Sequence, residues 1–196
     1  MANGRPNIAV IGLGNVLLSD DGFGPFVIEQ LRRQWDFPDG VTLIDGGTPG
    51  LGLVTLLADC DVAIVVDCVA AAGTPGELRC YGDEELEAVA PMARVSPHDP
   101  ALREALAVTR LLGQGPDRVL LIGVIPASLE VAIELSAPVR AAASGAVALV
   151  VQALATAGSP AMRRTFPRRP DGWWKLLAED LLQSLPDQAV PHARDH

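Results

Sequence analysis

A chain of 196 residues is long enough for a single domain with a substantial core, and hydrophobic residues make up 49% of it. Its formal net charge of -9 argues against sequence-independent nucleic-acid binding, which neutralises phosphates with clustered Lys and Arg. Cys60, Cys68 and Cys80 are odd in number and form no CxxC pair, a spacing that suits neither a disulfide framework nor a thiolate zinc site.

Ile8 to Leu13 is a nearly continuous apolar run, as expected of a strand covered on both faces in a parallel sheet. The start, MANGRPNIAV, carries no basic region followed by an apolar signal core and a small-residue cleavage site. No unbroken apolar run reaches the roughly 18 to 20 residues of a membrane span, so a cytoplasmic location without a span is expected. Gly12 and Gly14 bend the backbone into Ser19-Asp20-Asp21-Gly22, ahead of a helix predicted from Phe23 to about Gln34. DFPDG is turn chemistry, and Val41 to Ile44 is a second strand ending in the loop Asp45-Gly46-Gly47-Thr48-Pro49-Gly50. Leu51 to Ala58 reads as a short helix, and Val62 to Val66 is the most apolar strand, ending in Asp67-Cys68. Parallel strands joined by right-handed crossovers bring Asp21, Asp45 and Asp67 to one edge of the sheet, because each follows its strand's carboxyl end.

Glu77 to Tyr81 is predicted as an edge strand compatible with antiparallel pairing, and Asp83 to Val89 as one or two helical turns. A loop from Ala93 to Pro100 holds His98 and leads into a helix over Ala101 to Leu112. Val119 to Val124 is a further strand, and Ser136-Ala137-Pro138 opens a long Ala- and Val-rich helix to about Ala157. The expected fold is α/β: a single domain over residues 1–158, with a twisted, mostly parallel sheet of about five strands and helices on both faces. Residues 159–196 read as a basic, proline-broken linker followed by an amphipathic helix, with Trp173, Leu177, Leu181 and Leu185 at every fourth position. That helix either docks on its own domain or binds a partner.

Asp20-Asp21 taken alone is ordinary turn and capping chemistry. Asp67 directly follows VAIVV, where a carboxylate either reaches a strand-end cleft or is buried at high cost without a partner, and this favours a functional role. A lone loop histidine such as His98 is more often a surface residue. Together, Asp21, Asp67 and His98 offer two carboxylates and an imidazole, mixed donors that suit nickel or zinc and leave coordination positions open for water or substrate. Asp45 fits the turn of its own loop better than a fourth ligand. Gly12-Leu13-Gly14 begins like a dinucleotide fingerprint, but Leu17 stands where the third glycine belongs and the aspartates would repel a pyrophosphate. A GxSxG elbow is absent.

GLGNVLLSDDGFG, DGGTPG, the strand-end Asp67 in IVVDC, SPHD around His98, and LIGVIP resemble, in the same order, the hydrogenase maturation endopeptidases that process nickel-iron hydrogenase large subunits. The resemblance covers roughly Ile8 to Gly158 and implies a twisted sheet with helices on both faces. It further implies removal of a short C-terminal extension from the large-subunit precursor after nickel insertion. Asp21, Asp67 and His98 take the positions of the family's metal-contacting residues, which by this resemblance read nickel in the substrate and hold no permanent cofactor. Some members carry Glu where this chain has Asp21, one methylene shorter. Gly46 to Thr48 lies where substrate selection is expected. The alternative from another class is a binding module that senses nickel loading without turnover.

Overall fold

The computed structural model describes residues 6–58, 60–88 and 99–169, the side chains of 87–88 and 99–101 apart. The organising strand β1 (Ile8–Leu13) is buried along its whole length. Parallel to it on one side runs β3 (Val41–Gly47), and on the other β4 (Val62–Cys68), followed by β6 (Arg118–Val124) and then β5 (Leu78–Tyr81). The order is β3-β1-β4-β6-β5, with only β5 antiparallel, at the edge. The fold is therefore the mostly parallel five-stranded α/β sheet that the alternation of apolar runs and helices predicts. A separate two-stranded pairing joins β2 (Trp35–Asp36) to β7 (Met162–Arg163).

Period-two alternation divides the strands between two cores. Ile8, Val10, Val62, Ile64, Val66, Ile122 and Val124 face α1 (Phe23–Gln34) and α5 (Ala137–Thr156). Ala9, Ile11, Ala63, Val65, Val119 and Leu121 face α2 (Leu53–Leu57) and α4 (Asp99–Leu111). A short helix α3 (Asp83–Ala88) follows β5. Each fully buried Val, Leu or Ile contributes on the order of 1.5–3 kcal/mol, which is why unbroken apolar strands fix the centre of the sheet.

Two strands run further than the apolar runs indicate. β3 extends through Gly47 because Asp45 pairs with Gly12 and Gly47 with Leu13 across an irregularity in register, and β4 extends through Asp67 and Cys68 against Gly123 and Val124. Cross-strand hydrogen bonding continues where side-chain hydrophobicity stops. The α2 region opens with a 3-10 turn at Gly50–Gly52, so its α-helical part is only five residues.

α5 is 20 residues long with a mean hydropathy of 1.5, enough by length and composition to cross a membrane. It holds no unbroken apolar run of that length, because Arg140, Ser144 and Gln152 interrupt the Ala and Val residues. Here Val139, Ala143, Ala146, Val147, Val150 and Leu154 are buried in the core and about a third of the helix is buried in all, the pattern of a helix that lays one face on the domain.

α1 approaches the sheet closely at its first turn. A Cβ at Gly24 would collide with the carbonyl oxygens of Leu13 and Val66, backbone atoms that cannot rotate aside. Gly24→Ala is therefore expected to cost about 2–3 kcal/mol, read as a lowered urea midpoint at unchanged slope. An unchanged midpoint would mean that α1 is free to lift off the strands.

Candidate active site

The loop after β1 is built around backbone proximity. Gly14 has φ 132°, and a Cβ there would overlap the Asp21 carbonyl. Its N–H donates to Gly47 O at 2.9 Å, linking the loops after β1 and β3. Asn15 N donates to Asp21 Oδ2 at 2.8 Å, and Asp21 N donates to Leu18 O at 3.1 Å. The chain then makes a 3-10 turn over Ser19–Gly22 before entering α1. Ser19 holds a φ of 48°, a left-handed conformation unusual for a non-glycine residue.

That conformation is held by the loop after β6. Ser19 N donates to Ala132 O at 2.7 Å and Ser19 Oγ donates to Glu134 O at 3.1 Å. Asp20, with no solvent exposure, ties the two loops together. Its Oδ2 accepts from Ala127 N (2.8 Å), Ser128 N (3.0 Å) and Ser136 Oγ (2.9 Å), and its Oδ1 from Ser136 N (2.7 Å). Ser136 stands at the N-cap of α5, yet its hydroxyl is given to Asp20 and makes no cap to its own helix. Asp20 is thus a structural clamp that fixes the turn presenting Asp21. The local sequence gives no sign of it, because the partners lie 107 to 116 residues away.

Asp21 is 3% exposed and Asp67, at the end of β4, is 1% exposed. Asp67 Oδ1 accepts the N–H of Cys68 at 2.7 Å. The turn carrying Asp21 packs against β4, the strand that carries Asp67, so the two elements adjoin at the carboxyl edge of the sheet. Cys68 follows Asp67 at the end of β4. Burial, and then the negative charge of Asp67, Asp21 and Asp20, holds its thiol far above the ordinary thiol range. Cys68 is a neutral core thiol, unsuited to act as a nucleophile.

Asp45 reaches the same edge from the other side of β1, about 10 Å from Asp67 by two strand spacings. Its Oδ1 accepts Gly47 N at 3.3 Å, consistent with the turn role expected for it. His98 lies outside the described residues, as does the helix expected over Trp173 to Leu185; α4 begins at Asp99. Among the described residues, no three His, Cys, Asp or Glu side chains are arranged to hold a metal ion. The loops around the edge also expose large apolar side chains: Leu17 after β1, Leu51 after β3, and Leu129 and Val131 after β6.

The model of the hydrogenase maturation protease family matches residues 25–153, more than half of the chain. The chain belongs to the hydrogenase maturation protease family. The matched stretch contains Asp67 and the position of His98 and starts four residues after Asp21. Over 159 residues the chain is 39% identical to the hydrogenase expression/formation protein HupM of Azotobacter chroococcum, covering 81% of this chain and 76% of the relative. It is 36% identical over 175 residues to HupD of Bradyrhizobium diazoefficiens, covering 89% and 90%. Among solved structures, the hydrogenase maturating endopeptidase HybD from E. coli superposes with a TM-score of 0.75 at 36% identity, over 81% of this chain and 98% of that one. As a member of the hydrogenase maturation protease family, the chain is a peptide hydrolase with the HybD fold.

Proposed function

We infer that this protease removes the C-terminal extension of a nickel-iron hydrogenase large-subunit precursor after nickel insertion, reading the precursor's nickel through Asp21, Asp67 and His98. The observation that carries the reading is the placement of Asp21 and Asp67, two buried carboxylates on a turn and a strand that pack together, at the edge where α/β sheets bind ligands. Two carboxylates concentrate negative charge suited to a divalent cation, and an imidazole adds the nitrogen donor that favours nickel over harder ions. The nickel belongs to the substrate, and no resident cofactor is needed.

Three protein donors leave coordination positions for a peptide carbonyl or a water. Cleavage then follows one of two routes. Either the substrate's metal polarises the scissile carbonyl and activates water, or it anchors the precursor while a carboxylate acts as general base. The exposed Leu17, Leu51, Leu129 and Val131 surround this edge with an apolar rim suited to the peptide flanking the cut. Processing takes place in the cytoplasm on this reading.

Nickel-loaded and nickel-free precursor are incubated with the purified protein, and loss of the extension is followed by intact mass. Cleavage confined to the loaded precursor, and lost on His98→Ala and Asp21→Asn, is expected. Equal cleavage of both forms would remove nickel recognition from the mechanism. Stoichiometric binding of the loaded precursor without cleavage would favour the sensing module.

A further inference from the structure

The far end of α1 carries Arg32 and Arg33 in its last turn, and the residues after α5 fold back over it. Arg164 N donates to Gln34 O at 2.8 Å, and Arg164 Nε to Trp35 O at 3.1 Å. Arg168 N donates to Arg33 O at 2.9 Å, while Arg33 Nε donates to Arg168 O at 3.3 Å. This strap and α1 enclose a cleft of about 510 Å³ lined by Arg32, Arg33, Arg164, Arg168 and Arg169, over a floor that includes Trp35, Phe37 and Leu43. Among the described residues, Glu29 is the only acid in the lining.

Arg164 pairs with Asp36, and Arg32 donates to Leu43 O at 3.0 Å. Among the described residues, no carboxylate forms an ion pair with Arg32, Arg33, Arg168 or Arg169. The chain has 24 acidic against 15 basic residues, so five arginines gathered at one cleft, four of them outside any ion pair among the described residues, run against its composition. Their mutual repulsion is relieved by an anion placed between them. Arg164, Arg168 and Arg169 also lie beyond the stretch 25–153 matched by the family model.

We propose that this cleft docks an acidic peptide segment of a partner protein. Guanidinium forks bind carboxylates bidentately, and the aromatic and apolar floor accommodates a hydrophobic residue between them. A long polyanion such as nucleic acid meets the field of a protein with net charge -9, whereas a short acidic segment meets mainly the local arginines. The 12 residues of α1 separate the cleft from Asp21 by about 18 Å. A single precursor chain therefore spans both sites with at least about six extended residues. That the segment belongs to a hydrogenase precursor rests on the function proposed above; the binding of acidic peptide does not.

Fluorescence anisotropy with a labelled peptide of alternating Glu and Leu tests the cleft directly, with a Gln-for-Glu peptide and labelled duplex DNA as competing probes. The full chain is compared with a variant carrying Arg168→Glu and Arg169→Glu, two exposed side chains whose replacement keeps the backbone bonds of the strap. Binding of the acidic peptide is expected to weaken with salt, to fall at least tenfold in the variant, and to persist in Asp67→Asn protein. With precursor as substrate, the arginine variant is expected to raise KM and leave kcat unchanged. Equal binding of the Gln peptide, undiminished binding by the variant, or tighter binding of DNA would overturn the proposal. Failure of precursor cleavage in every protein, with peptide binding as expected, would count against the processing function and leave the cleft standing.

Discussion

Asp20→Ala is expected to lower the unfolding free energy by about 3–5 kcal/mol. The substitution removes one buried carboxylate and leaves the N–H groups of Ala127, Ser128 and Ser136 and the Ser136 hydroxyl without their acceptor. Each such group costs about 1–3 kcal/mol when it stays dry, and entry of water into the gap keeps the total below the sum. Ser19 would lose part of what holds it at φ 48°, and Asp21 would lose its fixed turn. Urea unfolding read by circular dichroism measures the loss, and precursor cleavage should fall with it. The neighbouring Asp21→Asn serves as the contrast: its midpoint should stay close to that of the unsubstituted protein while cleavage is lost. A midpoint for Asp20→Ala within about 0.5 kcal/mol of the unsubstituted protein would show that the two loops hold together without the clamp.

Asp67→Asn is expected to reduce precursor cleavage by about a hundredfold to ten-thousandfold while leaving the fold at least as stable. The asparagine Oδ1 can still accept the Cys68 N–H that Asp67 accepts at 2.7 Å, so the strand end keeps its local bond. What disappears is a negative charge at a site 1% exposed to solvent. Removing a buried charge relieves desolvation, so the melting temperature should hold or rise. Cleavage should fall through weaker hold on the substrate's metal or through loss of a base. Single-turnover rates on loaded precursor, beside a thermal melt, separate the two readouts. Retained cleavage would move the chemistry away from β4, and a large drop in melting temperature would make Asp67 a structural residue.

The sheet was legible because its strands announce themselves locally. IAVIGL and VAIVVDC are apolar enough to be buried on both faces, and the helices between them force parallel pairing. The same logic puts Asp21, Asp45 and Asp67 at one edge, since each stands beyond the apolar run of its strand, although Asp45 and Asp67 prove to be still paired near the ends of β3 and β4. The ordered motifs carried the family. Less was legible in the loops, where main-chain bonds extend β3 to Gly47 and β4 to Cys68 past the end of the hydrophobic signal.

By itself the sequence determined the α/β class, the order of the main-sheet strands with their helices and the edge at which to look, but not the short β2–β7 pairing, because periodicity and strand-end position depend only on near neighbours in the chain. The tertiary structure alone decided what the two adjacent aspartates do. Asp20 turns to a loop more than a hundred residues away and becomes a clamp, while the turn of Asp21 packs against the strand that carries Asp67. The basic cleft has the same origin: Arg32 and Arg33 meet Arg164, Arg168 and Arg169 only because the strap folds back on α1. Side-chain roles fixed by long-range hydrogen bonds and charge leave no periodic trace in a sequence, and they exist only once the chain has closed on itself.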